Sequence, residues 1–136
     1  MKKFSHKNLL KIFLGYGRAQ DISEAEWDVL VDHITTHRFF LGESGTSVSW
    51  QDALVSWYVN VYQPLRKIAT SSRFARAFPR MNVIQRICAL STHWYYMKEH
   101  KPDTAPDNAG ISFIVRYGRG IERFFARFLI FFIRFA

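Results

Sequence analysis

Apolar residues recur at helical spacing along most of the chain, and capping signals mark where each series begins. Ser23 and Glu26 form a capping box, in which the serine oxygen accepts from a free backbone N–H and the glutamate reaches back. Ser49 repeats this opening signal, with Asp52 in the first turn. Two helices are therefore predicted, with these apolar series: Trp27, Leu30, Val31 and Ile34, then Ala53, Leu54, Trp57, Val61 and Leu65.

Glycines and prolines predict where helices stop. A first helix over about residues 6–15, capped by Ser5, would end at Gly17, and the second helix would end between Gly42 and Gly45. Further along, Pro64 requires a kink or restart inside the third series, and Pro79 breaks the chain before another apolar series. Pro106 suits the first turn of a further helix.

The chain contains an internal repeat. Residues 36–43 (THRFFLGE) align without gaps to residues 92–99 (THWYYMKE), an offset of 56 positions. The same offset pairs further residues: Ala53 with Ala109, Ser56 with Ser112, Trp57 with Phe113 and Val59 with Val115. The sequence thus predicts an all-α bundle of five to six helices. Its helical domain, residues 1–118, contains two pseudo-symmetric helix–loop–helix units at about 27–62 and 83–118, followed by a C-terminal helix.

Composition sets the broad class. The 136 residues, 49% apolar and 22% charged, suffice for one domain with a core and argue against disorder. Cys88 is the only cysteine, so an intramolecular disulfide and a cysteine zinc cluster are excluded. The N-terminus lacks a signal-peptide core, and we expect a cytoplasmic protein, with the cytoplasmic face of a membrane as an open alternative.

Charge is divided unevenly along the chain. The net charge is +8, yet residues 1–62 carry six bases against seven acids, while residues 63–136 carry 13 bases against four acids. This asymmetry favours an anionic partner, either nucleic acid or a membrane surface.

Five strings resemble those of a known family: DHITTHRFFL (32–41), SWQDA (49–53), SWYVNVYQP (56–64), FPR (78–80) and THWYY (92–96). Over about residues 27–98 they resemble an uncharacterised bacterial helical domain found behind a ParB-like domain in proteins labelled transcriptional regulators. The resemblance implies a helical fold and a link to regulation, and it carries over no catalytic residue. The chain departs from the family in having no ParB-like part and in replacing an acidic, leucine-rich stretch with MNVIQR (81–86).

Candidate catalytic and metal-binding residues are few. His33 and His37 share a helix face and, with His93 and a glutamate, could be assembled into a metal site. However, the second repeat has Ala89 where His33 stands, which favours structural histidines that bond a loop or a helix end. No motif for nucleophilic catalysis or phosphate binding occurs. We therefore predict no enzyme activity, no metal, no cofactor and no small-molecule substrate.

One stretch combines several bases with few acids, and we interpret it as a basic loop: Arg66, Lys67, Arg73, Arg76 and Arg80. These are candidate anion contacts, and nearby aromatic residues could stack nucleobases: Tyr58, Tyr62, Trp94, Tyr95 and Tyr96. The alternative is a solvated surface beside core aromatics.

The C-terminal residues 119–136 predict a basic amphipathic helix. On a helical wheel one stripe is cationic: Arg119, Arg123, Arg127 and Arg134. The remaining face is broad and apolar: Phe124, Phe125, Phe128, Phe131, Phe132 and Phe135. At about 24 Å this helix is too short and too charged to span a bilayer. It would complete the core, lie in a membrane interface or enter a groove on another protein.

The leading functional hypothesis is a non-enzymatic accessory protein that docks on a larger assembly through this C-terminal helix. Its partner would be another protein or a second copy of the chain. Two alternatives stay open: a membrane-surface accessory subunit of a membrane complex, and a nucleic-acid-linked regulator.

Overall fold

The computed structural model describes residues 2–15, 22–43, 45 and 47–118, and within these ranges the protein is all-α, without strands. This confirms the predicted fold class. The helices are α1 (Lys2–Leu14), α2 (Glu24–Gly42), α3 (Trp50–Trp57), α4 (Gln63–Ala69), α5 (Ser72–Ala77), α6 (Val83–His100) and α7 (Pro106–Tyr117). A π-helical segment, Tyr58–Tyr62, lies between α3 and α4.

Helix α1 differs in part from its prediction. It begins at Lys2, so Ser5 lies inside the helix and is not its cap. It ends at Leu14 because Gly15 adopts a φ of 90°, a left-handed conformation that glycine tolerates best. The predicted stop, Gly17, lies outside the described residues.

The other predicted helix starts are confirmed. Ser23 and Glu26 form both bonds of the capping box, and the Ser49 side chain accepts from the Asp52 N–H. The α2 helix ends at Gly42, as predicted, and Pro106 occupies the first turn of α7.

Pro64 is accommodated without breaking the helical stretch. Helix α3 passes into the π-helical segment, and Pro64 then falls in the first turn of α4. A proline lacks a backbone N–H and is tolerated where that donor has no intrahelical partner. The predicted restart therefore takes the form of a π-helical turn.

The stretch interpreted as a basic loop is helical, so that interpretation is wrong. It comprises the end of α4, then α5, whose Ser71 cap accepts from the Phe74 N–H. Phe74 and Phe78 are buried. Two aromatic side chains one helical turn apart anchor this segment despite its high charge.

The chain divides into two compact units, with the boundary between Tyr58 and Val59. In the first unit α1 packs on α2, and α2 packs on α3. The centre of this unit is apolar, with Leu10, Leu30, Ile34 and Trp57 fully or almost fully buried.

In the second unit α4, α6 and α7 pack together, and the short α5 lies against α4 and α7. Three buried rings form its centre: Phe74, Phe78 and Phe113, with centroid separations of 4.7, 5.1 and 6.0 Å. Each unit thus contains one helical hairpin. We call α2–α3 the first hairpin and α6–α7 the second hairpin.

Candidate interaction surfaces

The two hairpins are held by the same side-chain hydrogen bond. In the first, His37 Nε2 lies 2.9 Å from Ser56 Oγ, and in the second, His93 Nε2 lies 3.0 Å from Ser112 Oγ. Both bonds join the first helix of a hairpin to its second helix. They are related by the same 56-residue offset as the sequences. The histidines are therefore equivalent, although their partner is a helical serine instead of the expected loop or helix end.

A second bond is repeated with a different donor. Arg38 Nε donates to the Val48 carbonyl at 2.7 Å, and Trp94 Nε1 donates to the Thr104 carbonyl at 2.8 Å. These pairs also differ by 56 positions. In each hairpin a side-chain N–H thus ties the end of the first helix to the connection that follows it.

The His–Ser pairs have hydrogen-bonding distances typical of a base and a nucleophile, but their setting is that of a structural brace. Ser56 and Ser112 lie within helices, where their backbone N–H groups bond to the preceding turn and cannot stabilise an oxyanion. His93 is also buried, and burial, together with the nearby Arg116 charge, lowers its pKa. A largely neutral imidazole suits a permanent hydrogen bond between helices.

His33 is buried on α2, and burial lowers its pKa to about 4. It is therefore neutral at pH 7. The second hairpin has buried Ala89 at the equivalent position. Within the part of the chain that the structure describes, no group of three or more His, Cys, Asp or Glu is arranged to hold a metal.

An open groove lies beside the α2–α3 connection, lined in part by Arg38, Phe39 and Val48. The Arg38 side chain already donates to the Val48 carbonyl. The groove thus presents a partly engaged guanidinium beside the exposed ring of Phe39.

Both hairpins expose apolar side chains at equivalent positions. Val55 on α3 is 49% exposed and its counterpart Ile111 on α7 is 50% exposed. Phe40 and Tyr96 form a second equivalent exposed pair, and Val115 on α7 is 77% exposed. The 56-residue offset also pairs Val59 with Val115, but the sequence alone does not show which positions face solvent. The repeat itself, compared position by position with the core, was the signal.

The candidate anion contacts are placed on or beside α4 and α5. Arg66 and Lys67 lie in the last turn of α4, Arg73 and Arg76 lie on α5, and Arg80 follows in the turn before α6. All except the half-buried Arg66 are exposed.

Arg86 is a structural residue that sequence reasoning missed. From α6 its Nη1 donates to the Ala69 carbonyl at 3.0 Å and its Nη2 to the Phe78 carbonyl at 3.1 Å. Ala69 is the last residue of α4, and Phe78 directly follows α5. The guanidinium therefore lies at two helix C-termini, where a positive charge interacts favourably with the helix dipole. Burial lowers the Arg86 pKa. The sequence signal for this role is a base within the apolar series of α6, at the position equivalent to Leu30.

The proposed C-terminal anchor lies outside the described residues: Arg119, Arg123, Phe124, Phe125, Arg127, Phe128, Phe131, Phe132, Arg134 and Phe135. Among the helices that the structure describes, none is both long and apolar enough to cross a membrane.

The chain matches no family model, and neither a curated protein nor a solved structure matches it significantly. The resemblance to the ParB-associated helical domain therefore stays a prediction based on the five strings alone.

Proposed function

We propose that this chain is a non-enzymatic accessory protein that docks on a larger protein assembly. The observation that carries the proposal is the repeated exposure of apolar side chains. Val55 and Ile111 occupy equivalent positions in the two hairpins and are exposed to the same extent. Scattered surface hydrophobes are common in soluble proteins, but the same exposed apolar position in two divergent hairpins favours a retained contact surface.

Helix α7 offers the better-developed surface. Ile111 and Val115 are four residues apart, so they lie on one face of the helix, and both are exposed. Such a pair is typical of the anchors that a helix presents to an apolar groove on another protein. Asn108 lies on the same face, three residues before Ile111, and gives this surface a polar edge.

The sequence of residues 119–136 supplies the second element of the proposal. Its phenylalanines would form an apolar anchor and its arginines a cationic border. The segment follows α7 directly, so the Ile111 and Val115 surface and the anchor would engage the same partner.

The His–Ser pairs support a non-enzymatic role. Both connect helices within a hairpin, and the repetition of the bond is explained by the repeated fold alone.

The test begins with capture of the tagged full chain from its native cell, followed by purification of the captured protein and measurement of its affinity by calorimetry. We expect I111S/V115S to weaken binding more than about tenfold, the loss that follows from about 1.4 kcal/mol of interface energy. Truncation after Gly118 should weaken it further. The control variant N108S lies on the same face, removes no apolar area and should bind as the wild type does.

Three outcomes would contradict the proposal. The first is equal affinity of I111S/V115S and wild type for the purified partner. The second is loss of helical circular dichroism on truncation, since the segment would then belong to the core. The third is flotation of the intact chain with anionic vesicles in the absence of any protein partner, which would favour the membrane-surface alternative.

A further inference from the structure

The surface of α4 and α5 carries a concentration of positive charge with no acid nearby in the sequence. We call the residues Arg66, Lys67, Arg73, Arg76 and Arg80 the basic surface. No Asp or Glu occurs between Asp52 and Glu99, so neither α4, α5 nor the turn to α6 contains a carboxylate. A stretch of this kind generates a local positive potential that neighbours in the chain do not cancel.

The fold exposes four of these bases to solvent, and Arg66 is half-buried. Phe74 is completely buried, which directs Arg73 and Arg76, three residues apart, to the outer side of α5. Arg86 donates to the last carbonyl of α4 and to the Phe78 carbonyl after α5. The buried rings of Phe74 and Phe78 thus anchor the segment to the core, and the Arg86 guanidinium holds the C-terminal ends of its two helices.

In the first unit, two lysines are paired with carboxylates. On α1, Lys7 lies 2.8 Å from Asp28 and 3.2 Å from Glu24, and Lys11 lies 2.9 Å from Glu24. These lysines are engaged by carboxylates of α2. The basic surface has no such carboxylates in its own segment, and the side chains of Lys67, Arg73 and Arg76 are exposed.

We propose that the basic surface binds the phosphodiester backbone of nucleic acid, without sequence specificity. Four of its five bases are arginine, whose planar guanidinium engages phosphate oxygens in pairs. The exposed hydroxyl side chain of Ser72 lies directly before Arg73. Arginine, lysine and hydroxyl groups together are the usual contacts to a nucleic-acid backbone.

The composition of the surface favours nucleic acid over a membrane. Between Val59 and Tyr96, a range that the structure describes in full, no large apolar side chain is exposed. Binding to a lipid interface depends on inserting apolar area as well as on charge, and this surface has none to insert. Phosphate recognition requires only the charge and the donors that are present.

The experiment uses the full chain and a short fluorescent DNA, single-stranded and duplex, with the dissociation constant measured across a salt series that starts at about 50 mM NaCl. The test variant is R73Q/R76Q. The control is K101Q/R116Q, which removes the same charge from two exposed positions of the same unit. Circular dichroism establishes that both variants are folded.

We expect the wild type to bind both DNAs with a steep salt dependence. R73Q/R76Q should lose more than about tenfold in affinity at low salt, and its log–log salt slope should fall by about two, because about one counterion is released per phosphate contact. The control should stay within about twofold of the wild type, since its charges lie outside the contact.

The proposal is overturned if the wild type shows no binding at the lowest salt, or if both double variants lose affinity equally, which would indicate net charge alone. Binding to vesicles of anionic phosphatidylglycerol with no binding to DNA would also overturn it. The protein-docking proposal is unaffected by any of these outcomes, because Ile111 and Val115 are not altered.

Discussion

The two hairpins share a framework while most of their side chains differ. The His–Ser bond and the bond from a side-chain N–H to the connecting loop recur at the same offset, the second with arginine in one hairpin and tryptophan in the other. Ala53 and Ala109 are both completely buried, and Trp57 and Phe113 are equally buried. The hairpin therefore depends on a few contacts between its helices, and an N–H in the right place matters more than the residue that carries it.

The second hairpin differs from the first where other helices pack on it. Arg86 replaces Leu30 and donates to the ends of α4 and α5. Gly110 replaces Leu54, and a Cβ at Gly110 would lie 2.9 Å from Ile68 Cγ2 on α4. Both substitutions make room for, or bind, the helices of the second unit. Both differences thus lie where the second hairpin meets the helices that carry the basic surface.

The largest effect is expected where the two hairpins differ most, at Leu30 and the equivalent Arg86. Leu30 is fully buried in the first unit, so Leu30→Arg would place a charge in an apolar core. We expect a loss of about 3–5 kcal/mol in the free energy of unfolding, enough to unfold a marginal domain. Urea denaturation measures it. A wild-type unfolding midpoint would show that the first unit accommodates a guanidinium as the second does.

The next largest effect is the loss of stability at low pH, to which only the first hairpin contributes through a buried histidine at the position of His33. Because the pKa of folded His33 is about 4, the unfolded chain takes up its proton first as the pH falls. Stability is expected to decrease from about pH 6.5 down to about pH 4, by roughly 3 kcal/mol from this group, and to depend no further on it below that. In H33A, which copies Ala89, this pH-dependent part should disappear, although the variant loses packing at every pH.

The control for the acid response is H100Q, since His100 is exposed at the end of α6. It should retain the full acid dependence in urea titrations at several pH values. If H33A and H100Q lose stability in parallel between pH 7 and pH 4, His33 is not the group that links stability to pH.

A smaller effect is expected at the position where α4 approaches α7. Gly110→Leu copies the first hairpin but collides with Ile68, so we expect a loss of about 1–3 kcal/mol in the free energy of unfolding. The pairing of G110L with I68A should recover part of this loss, because the alanine vacates the space. Thermal and urea unfolding of the single and double variants measure the coupling. An additive result would show that the two residues do not compete for space.

The smallest effect tests what the hairpins share. Double-mutant cycles on His37 with Ser56, and on His93 with Ser112, should each give a coupling of about 0.5–1.5 kcal/mol, the usual net value of a hydrogen bond. The two couplings should agree within about 0.5 kcal/mol. A coupling in only one hairpin would mean that the two His–Ser hydrogen bonds, although alike in geometry, do not contribute equally to stability.

Local signals explain how much of the fold could be predicted. The capping box at Ser23, the side-chain cap at Ser49 and the glycine that ends α2 each act within one turn of the chain, so a short window of sequence predicts them. The prediction of a basic loop is wrong because Phe74 and Phe78 pack on Phe113 of α7, a contact that the local sequence does not show. Helix α5 is stabilised by burial, which a local reading cannot measure.

The candidate surfaces divide in the same way. The amino-acid sequence by itself determined most of the helices, the 56-residue repeat and the concentration of bases after residue 63, because periodicity, capping and charge are properties of neighbouring residues. Only the tertiary structure decided that Arg86 bonds the carbonyls at the ends of α4 and α5, and that His37 and His93 bond serines 19 residues away. It also decided that Ile111 and Val115 face solvent. Each of these depends on which distant segments share a core, and that is settled by packing between helices rather than along them.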